Sequence, residues 1–189
     1  MRRICVYCAS NPGVRDAYAN AARELANVLV DNGYELVYGG SSKGVMGFLA
    51  DGVLARGGTV HGVIPELLLD KEVSHQGLSE LHVVKTMHER KALMESLSDA
   101  FIALPGGFGT LEELVEILTW GQLHIHAKPV GVINVAGFFD GLIAYLDHAV
   151  EEGLLPADSR AMLHCATEPG ELLEQFRNYM PPTGDKWMD

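Results

Sequence analysis

Apolar runs of four to seven residues alternate along this chain with longer segments whose apolar positions recur every three or four residues. Short runs at 3–7, 35–38, 59–64, 81–85, 99–104, 129–135 and 163–166 predict strands. They are nearly unbroken apolar stretches rather than alternating ones, as in a parallel sheet buried on both faces. Between them, segments 14–31, 45–56, 87–98, 138–152 and 170–179 carry helical spacing; in the first, Tyr18, Ala22, Leu25, Ala26 and Leu29 form the stripe. Asn32-Gly33 and Gly57-Gly58 stop two of these helices. Segment 67–80 is less regular and reads partly as loop. The pattern predicts an α/β fold, Rossmann-like and doubly wound, with a mainly parallel sheet of about seven strands flanked by helices. No internal repeat or dividing linker appears, so residues 1–189 are expected to form one domain, with a flexible tail at 180–189 that holds two prolines.

One stretch stands out within this alternation. The strand at 99–104 runs into Pro105-Gly106-Gly107-Phe108-Gly109-Thr110, and helical spacing resumes with Leu111, Leu114, Val115 and Leu118. Strand, glycine-rich turn and helix in that order form an anion site, because backbone N–H groups and a helix N-terminus converge where no side chain intervenes. A phosphate is the expected guest, and Thr110 can add a hydroxyl. The same residues admit a plainer reading. Thr110-Leu111-Glu112-Glu113 is also a capping box, with Thr110 as N-cap and Glu113 at the third helical position, and the glycines also serve a tight turn. Taking the four leucine and valine positions as the core stripe, Glu112 and Glu116 point to solvent, and Glu113 lies on the flank near Ile117, within reach of a sugar held by its phosphate. The pattern is neither a Walker loop, which requires Gly-Lys-Ser/Thr, nor a dinucleotide fingerprint.

Other candidate chemistry changes the picture less. Residues 8–13 and the second glycine turn, residues 39–44, follow strands and so share the ligand-binding sheet edge. Met87-His88-Glu89-Arg90-Lys91 opens a helix after the fourth strand, and Arg90 is placed to face the glycine turn with a guanidinium suited to phosphate or ribose. His88-Glu89 is not a zinc motif, since Ala92 stands where a second histidine is needed. His124 and His126 read as structural or interfacial, and no metal is expected. Cys5 and Cys8 sit three apart in a strand, point to opposite faces and read as core.

The net charge of −11 argues against a nucleic-acid polymer or an anionic membrane as partner, so any phosphate must be met by a local site. No apolar run of about eighteen residues occurs, and the opening residues are too polar for a signal peptide. Three cysteines make no disulfide framework, which favours a reducing cytoplasm.

The full pattern Pro-Gly-Gly-x-Gly-Thr-x-x-Glu, with Met-x-x-Arg-Lys at 87–91, resembles the signature of the LONELY GUY family, cytokinin riboside 5'-monophosphate phosphoribohydrolases whose members are often labelled lysine decarboxylases. Further similar stretches run from Ile4 to Glu152: Gly39-Gly40 with Gly44-x-Met46-Gly47, Gly62-Val63-Ile64-Pro65, Glu72-Val73-x-His75 and Lys128-Pro129-Val130-Gly131. The resemblance implies hydrolysis of N6-modified adenosine 5'-monophosphates to free base and ribose 5-phosphate. It implies Arg90 and Glu113 as the catalytic pair. Ser10, Gly40, Met87, Lys91, Pro105, Gly106, Gly107, Phe108, Gly109 and Thr110 are expected to bind the substrate. It implies no cofactor, water being the second substrate, and a homodimer, with Trp120, Leu123 and Ile125 as contact candidates. Where the family has a glycine or other small residue, this chain has His124, which bears on base selectivity or the subunit contact. A nucleosidase for AMP or other nucleoside monophosphates, and a non-catalytic nucleotide or cofactor carrier, are the rival readings. A pyridoxal-dependent decarboxylase is disfavoured, because neither Lys43 nor Lys91 has the context of a Schiff-base lysine.

Overall fold

Seven short apolar segments pair in a computed structural model, which describes residues 1–69 and 74–181. The strands are β1 (Arg3–Tyr7), β2 (Glu35–Tyr38), β3 (Val60–Pro65), β4 (Glu80–Val84), β5 (Ala100–Ala103), β6 (Val130–Ile133) and β7 (Leu163–Ala166). All six pairings are parallel, in the order β4-β3-β2-β1-β5-β6-β7. The chain therefore winds outward from β1 to β4, then returns to the other side of β1 at β5. In such sheets ligands bind at that reversal, outside the carboxyl ends of the two central strands.

Helices α1 (Asp16–Asp31), α2 (Gly44–Ala55), α3 (Met87–Leu97), α4 (Phe108–Gln122), α5 (Asp140–Glu151), α6 (Ala157–Ala161) and α7 (Pro169–Arg177) supply the covering layers. Alternate residues of the inner strands feed two separate cores. Ile4, Val6 and Tyr38 pack with Leu25 and Leu29 of α1, Leu49 of α2 and Leu172 of α7. Cys5, Tyr7, Val37 and Phe101 pack with Met94 of α3 and Leu114 and Ile117 of α4. Cys5 and Cys8 thus fall in opposite cores, as their spacing predicts, and both are buried free thiols. Burial on both faces is what the unbroken apolar runs encode; β4, an edge strand, is only partly covered.

Strand and helix boundaries lie within a residue or two of the sequence reading except at α4, which starts three residues earlier, at Phe108; among the described residues the additions are α6, too short to carry a helical period, and two 3-10 turns at Glu66–Leu68 and Val135–Gly137. The Glu72-Val73 pair and nearly all of the 180–189 tail lie outside the described residues.

Candidate functional site

A cleft of about 260 Å³ opens at the reversal between β1 and β5. Its walls are the loop after β1, including Cys8, Ser10 and Asn11, the glycine turn before α4, and Gly39 after β2. Arg90 reaches it from α3 and Glu113 from α4.

The turn differs from the capping-box reading. Gly107, not Thr110, is the N-cap of α4, and Leu111 N–H donates to Gly107 O at 3.0 Å. Thr110 is the third helical residue and is buried, while Glu113 lies three positions deeper, in the second turn. The reason is packing: a Cβ at Gly106 would stand 2.0 Å from Thr110 Oγ1, so the glycine lets the threonine side chain fold back over the turn instead of capping it. No side chain caps this helix. The N–H groups of the first turn, Phe108 to Thr110, accordingly precede the first intrahelical bond and point out of the helix end, where the helix dipole favours an anion.

Glu113 is half-buried, with Leu114 and Ile117 beside it in the core. The buried face of α4 is Thr110, Leu114, Ile117 and Gly121, so the stripe expected from Leu111, Leu114, Val115 and Leu118 is rotated. Leu111 and Val115 are exposed instead, because α4 carries apolar residues on two faces and only one meets the sheet. The expectation that Glu112 and Glu116 are merely solvated is also corrected. Both carboxylates pair with Lys91 Nζ, Glu116 at 2.9 Å, which pins α3 to α4.

Arg90 is 4% exposed. Its Nε donates to Val63 O at 3.1 Å and its Nη2 to Gly39 O at 2.9 Å. Gly39 is required there, since a Cβ would sit 2.3 Å from Nη2. These carbonyls fix the guanidinium at the cleft floor between β2 and β3. The neighbouring acids are held neutral. Burial first, then the negative Glu113, pushes the Cys8 thiol far above its usual range. Burial, Cys5 and Glu113 do the same for the Tyr7 phenol. Neither Cys8 nor Tyr7 is therefore an anion or a nucleophile at neutral pH, and Glu113 is the carboxylate among the cleft's lining residues.

Of the residues expected at the site, Arg90, Glu113, Ser10, Gly107, Phe108, Gly109 and Thr110 line this one cleft. Gly106 and Pro105 line a neighbouring groove with Tyr18 and Phe138. Gly40 does not line the cleft. It adopts φ +80° and accepts a hydrogen bond from His75 N–H, and its neighbour Gly39 is the one at the cleft. Met87 stands behind Arg90, Sδ 3.9 Å from Nη1, and Lys91 is engaged by the two glutamates. Asn11 and Met46 also line the cleft, although neither was expected to bind the substrate; Met46 stands in the quoted Gly44-x-Met46-Gly47 stretch and Asn11 in the loop at 8–13, and the strand order brings the two together.

A second apolar groove of about 450 Å³ adjoins the glycine turn, between Phe108, Leu111, Phe138 and Leu142. His126, read as structural, is buried; its Nε2–H donates to Ile117 O at 2.8 Å and Nδ1 accepts from Lys128 N–H at 3.1 Å. Burial lowers its pKa, in keeping with this neutral tautomer. His124 has φ +56° and follows the C-cap of α4.

A sequence profile of the family described as "possible lysine decarboxylase" matches residues 46–176. A probable cytokinin riboside 5'-monophosphate phosphoribohydrolase of Oryza sativa subsp. japonica is 48% identical over 184 residues, covering 97% of this chain and 75% of its own. A cytokinin riboside 5'-monophosphate phosphoribohydrolase of Arabidopsis thaliana is 46% identical over 184 residues, covering 97% and 86%. Among solved structures, the molybdenum cofactor carrier protein of Chlamydomonas reinhardtii superposes with a TM-score of 0.68 at 22% identity, covering 94% of this chain and 99% of that one. The molybdenum cofactor binding protein of Rippkaea orientalis gives the same score and identity, covering 94% and 96%. At that identity the two structures speak to the fold alone.

Proposed function

The chain belongs to the LONELY GUY family of cytokinin riboside 5'-monophosphate phosphoribohydrolases, and from that premise we propose that it hydrolyses the N-glycosidic bond of N6-modified adenosine 5'-monophosphates, with Arg90 and Glu113 as the catalytic pair. The observation that carries the assignment is that Arg90 and Glu113, on different helices, line the same cleft as the uncapped end of α4. The 5'-phosphate docks on the N–H groups of Phe108, Gly109 and Thr110, where no side chain competes for them. This sets the ribose alongside Glu113, one turn further into the helix. As the bond from C1' to the base nitrogen breaks, positive charge develops on the sugar ring, and the Glu113 carboxylate stabilises it and orients the attacking water. The bond's electron pair leaves with the base. Water supplies hydroxide to C1' and a proton to the base, giving free base and ribose 5-phosphate. Arg90, already aligned by Val63 O and Gly39 O, contributes a fixed positive charge for ribose or phosphate. The reaction needs no metal or redox group.

An apolar N6 substituent suits the groove beside Phe108 and Leu111 better than plain adenine does, which favours a modified base over AMP. A cofactor carrier on this fold needs no carboxylate beside a bound phosphate, which favours hydrolysis over carriage.

The same reading includes a homodimer. Leu111 and Val115 on α4, Ile125 after it and Tyr145 on α5 are exposed apolar residues on neighbouring elements, more than a solvated surface needs. The free thiols of Cys5 and Cys8 are in keeping with a reducing, cytoplasmic location, which is part of the same reading. Among the described residues no helix is long and apolar enough to cross a membrane.

The test is base release from a panel of nucleotides and nucleosides. N6-modified adenosine monophosphates should turn over best, AMP less well and nucleosides very poorly. Equal turnover of a nucleoside and its monophosphate would refute phosphate anchoring.

A further inference from the structure

The opposite edge of the sheet, where β2, β3 and β4 begin, gathers a second set of chemistry-bearing side chains. In the parallel β3–β4 ladder His61 lies beside Glu80, and Val63 beside His82. Glu80 and His82 are two apart on one strand and so project to the same face, the one His61 faces. His61 Nδ1 is 3.0 Å from Glu80 Oε2, and His82 Nε2 is 3.5 Å from that oxygen. One ligand atom from each residue lies within 4.8 Å of the others. Donors about 2.0–2.1 Å from a tetrahedral zinc stand roughly 3.4 Å from one another, a spacing the two observed separations straddle.

Two further observations point to a cation. His82 Nε2 is buried and makes no hydrogen bond, its approach to Glu80 being too long for one. His61 is supported from behind: Nε2 is 2.9 Å from Glu35 Oε2, and that carboxylate is held by Arg3 Nε at 2.8 Å. A carboxylate on the far nitrogen is the support that metal-ligating imidazoles receive, because it fixes the ring and leaves the near nitrogen as donor. A bare ion-pair chain through Glu35, His61 and Glu80 accounts for His61 but leaves the His82 nitrogen unsatisfied.

We propose that His61, Glu80 and His82 bind one divalent transition-metal ion of the zinc class, with water in the fourth position. Two imidazoles and one carboxylate suit zinc and not magnesium. The Glu80 side chain is half exposed, which leaves the fourth position open to solvent. The ion fastens edge strand β4 to β3. It lies at the sheet edge away from the cleft and takes no part in hydrolysis.

The test titrates metal-stripped protein with Zn²⁺ against a competing chelator, reading bound metal per chain and melting temperature. The proposal expects one equivalent per chain and a rise of about 5–10 °C at a hundredfold excess over Kd. Mg²⁺ should give no such rise, and base release should be unchanged by either ion. His82→Ala, which leaves the His61, Glu35 and Arg3 chain in place, should weaken zinc at least tenfold. Glu80→Gln, at a half-exposed side chain, should weaken it as well. No saturable zinc binding, or equal affinity in both variants and wild type, would overturn the site.

Discussion

Glu112 and Glu113 are adjacent in sequence and diverge in fate. Glu113 turns into the cleft beside Arg90, and Glu112 turns outward to Lys91. Glu113→Gln keeps the shape and removes the charge, so base release should fall on the order of a hundredfold or more, with the fold retained by circular dichroism. Glu112→Gln is the matched control. Lys91 keeps Glu116, so stability should fall by less than about 1 kcal/mol and turnover should stay near wild type. Equal loss in the two variants would show that the helix is misoriented in this account. His124 offers a different kind of test. With Leu123 as C-cap, Ile125 N–H bonds to Trp120 O and His124 N–H to Gly121 O, a helix stop that wants a left-handed residue. A glycine would meet this backbone requirement without strain. His124→Gly should raise stability by about 0.5–1 kcal/mol, visible as a higher melting temperature, with turnover retained. At this scale the motif marked Arg90 and Glu113, which the fold brings to one cleft. It did not separate Gly39 from Gly40, because one serves close approach of a guanidinium and the other a positive φ, and both needs are written as glycine.

At the scale of elements, α4 joins the site to the surface. Its N-terminus meets the cleft, one face enters the core through Leu114 and Ile117, and another leaves Leu111 and Val115 exposed. Sequence periodicity detected the helix but not its rotation, since apolar residues on two faces fit more than one stripe. Val115→Asp should therefore leave the monomer folded and, if this face joins two copies, shift the mass measured by light scattering from dimer to monomer. Helix α3 is held more tightly. Arg90 bonds to β3 and to the turn after β2, and Lys91 clasps α4. Gly39→Ala places a methyl 2.3 Å from Nη2 and 2.9 Å from Met46 Sδ. The displaced guanidinium should lower kcat by about tenfold or more, with the fold retained by circular dichroism. Unchanged kcat would show that Arg90 needs no such alignment.

Across the whole molecule, the strand order was legible as a class and not in detail. Alternating apolar runs and helices predict a doubly wound sheet, but only the fold reveals that the reversal falls between β1 and β5. The zinc-class set was wholly hidden, because its members come from two strands and share no local spacing. Acid sensitivity also emerges at this scale. Partial burial raises the Asp99 carboxyl, but the N–H groups of Arg3 and Arg2 outweigh it and hold the pKa below the usual carboxylate range. A depressed pKa means stabilisation that is complete above the unfolded value and lost as pH falls through the folded one. The clasp of β1 onto the residue before β5 should thus weaken only below about pH 4. Asp99→Asn should flatten that part of the stability profile measured by chemical denaturation.

In the proposed mechanism Glu113 acts as a charged catalyst on a sugar anchored by its phosphate. The most direct measurement is the rate of free-base release from an N6-modified adenosine 5'-monophosphate by wild type and Glu113→Gln under saturating substrate. Wild type should give free base and ribose 5-phosphate in equal amounts, and the folded variant should turn over on the order of a hundredfold or more slowly. Wild-type turnover in Glu113→Gln would contradict it.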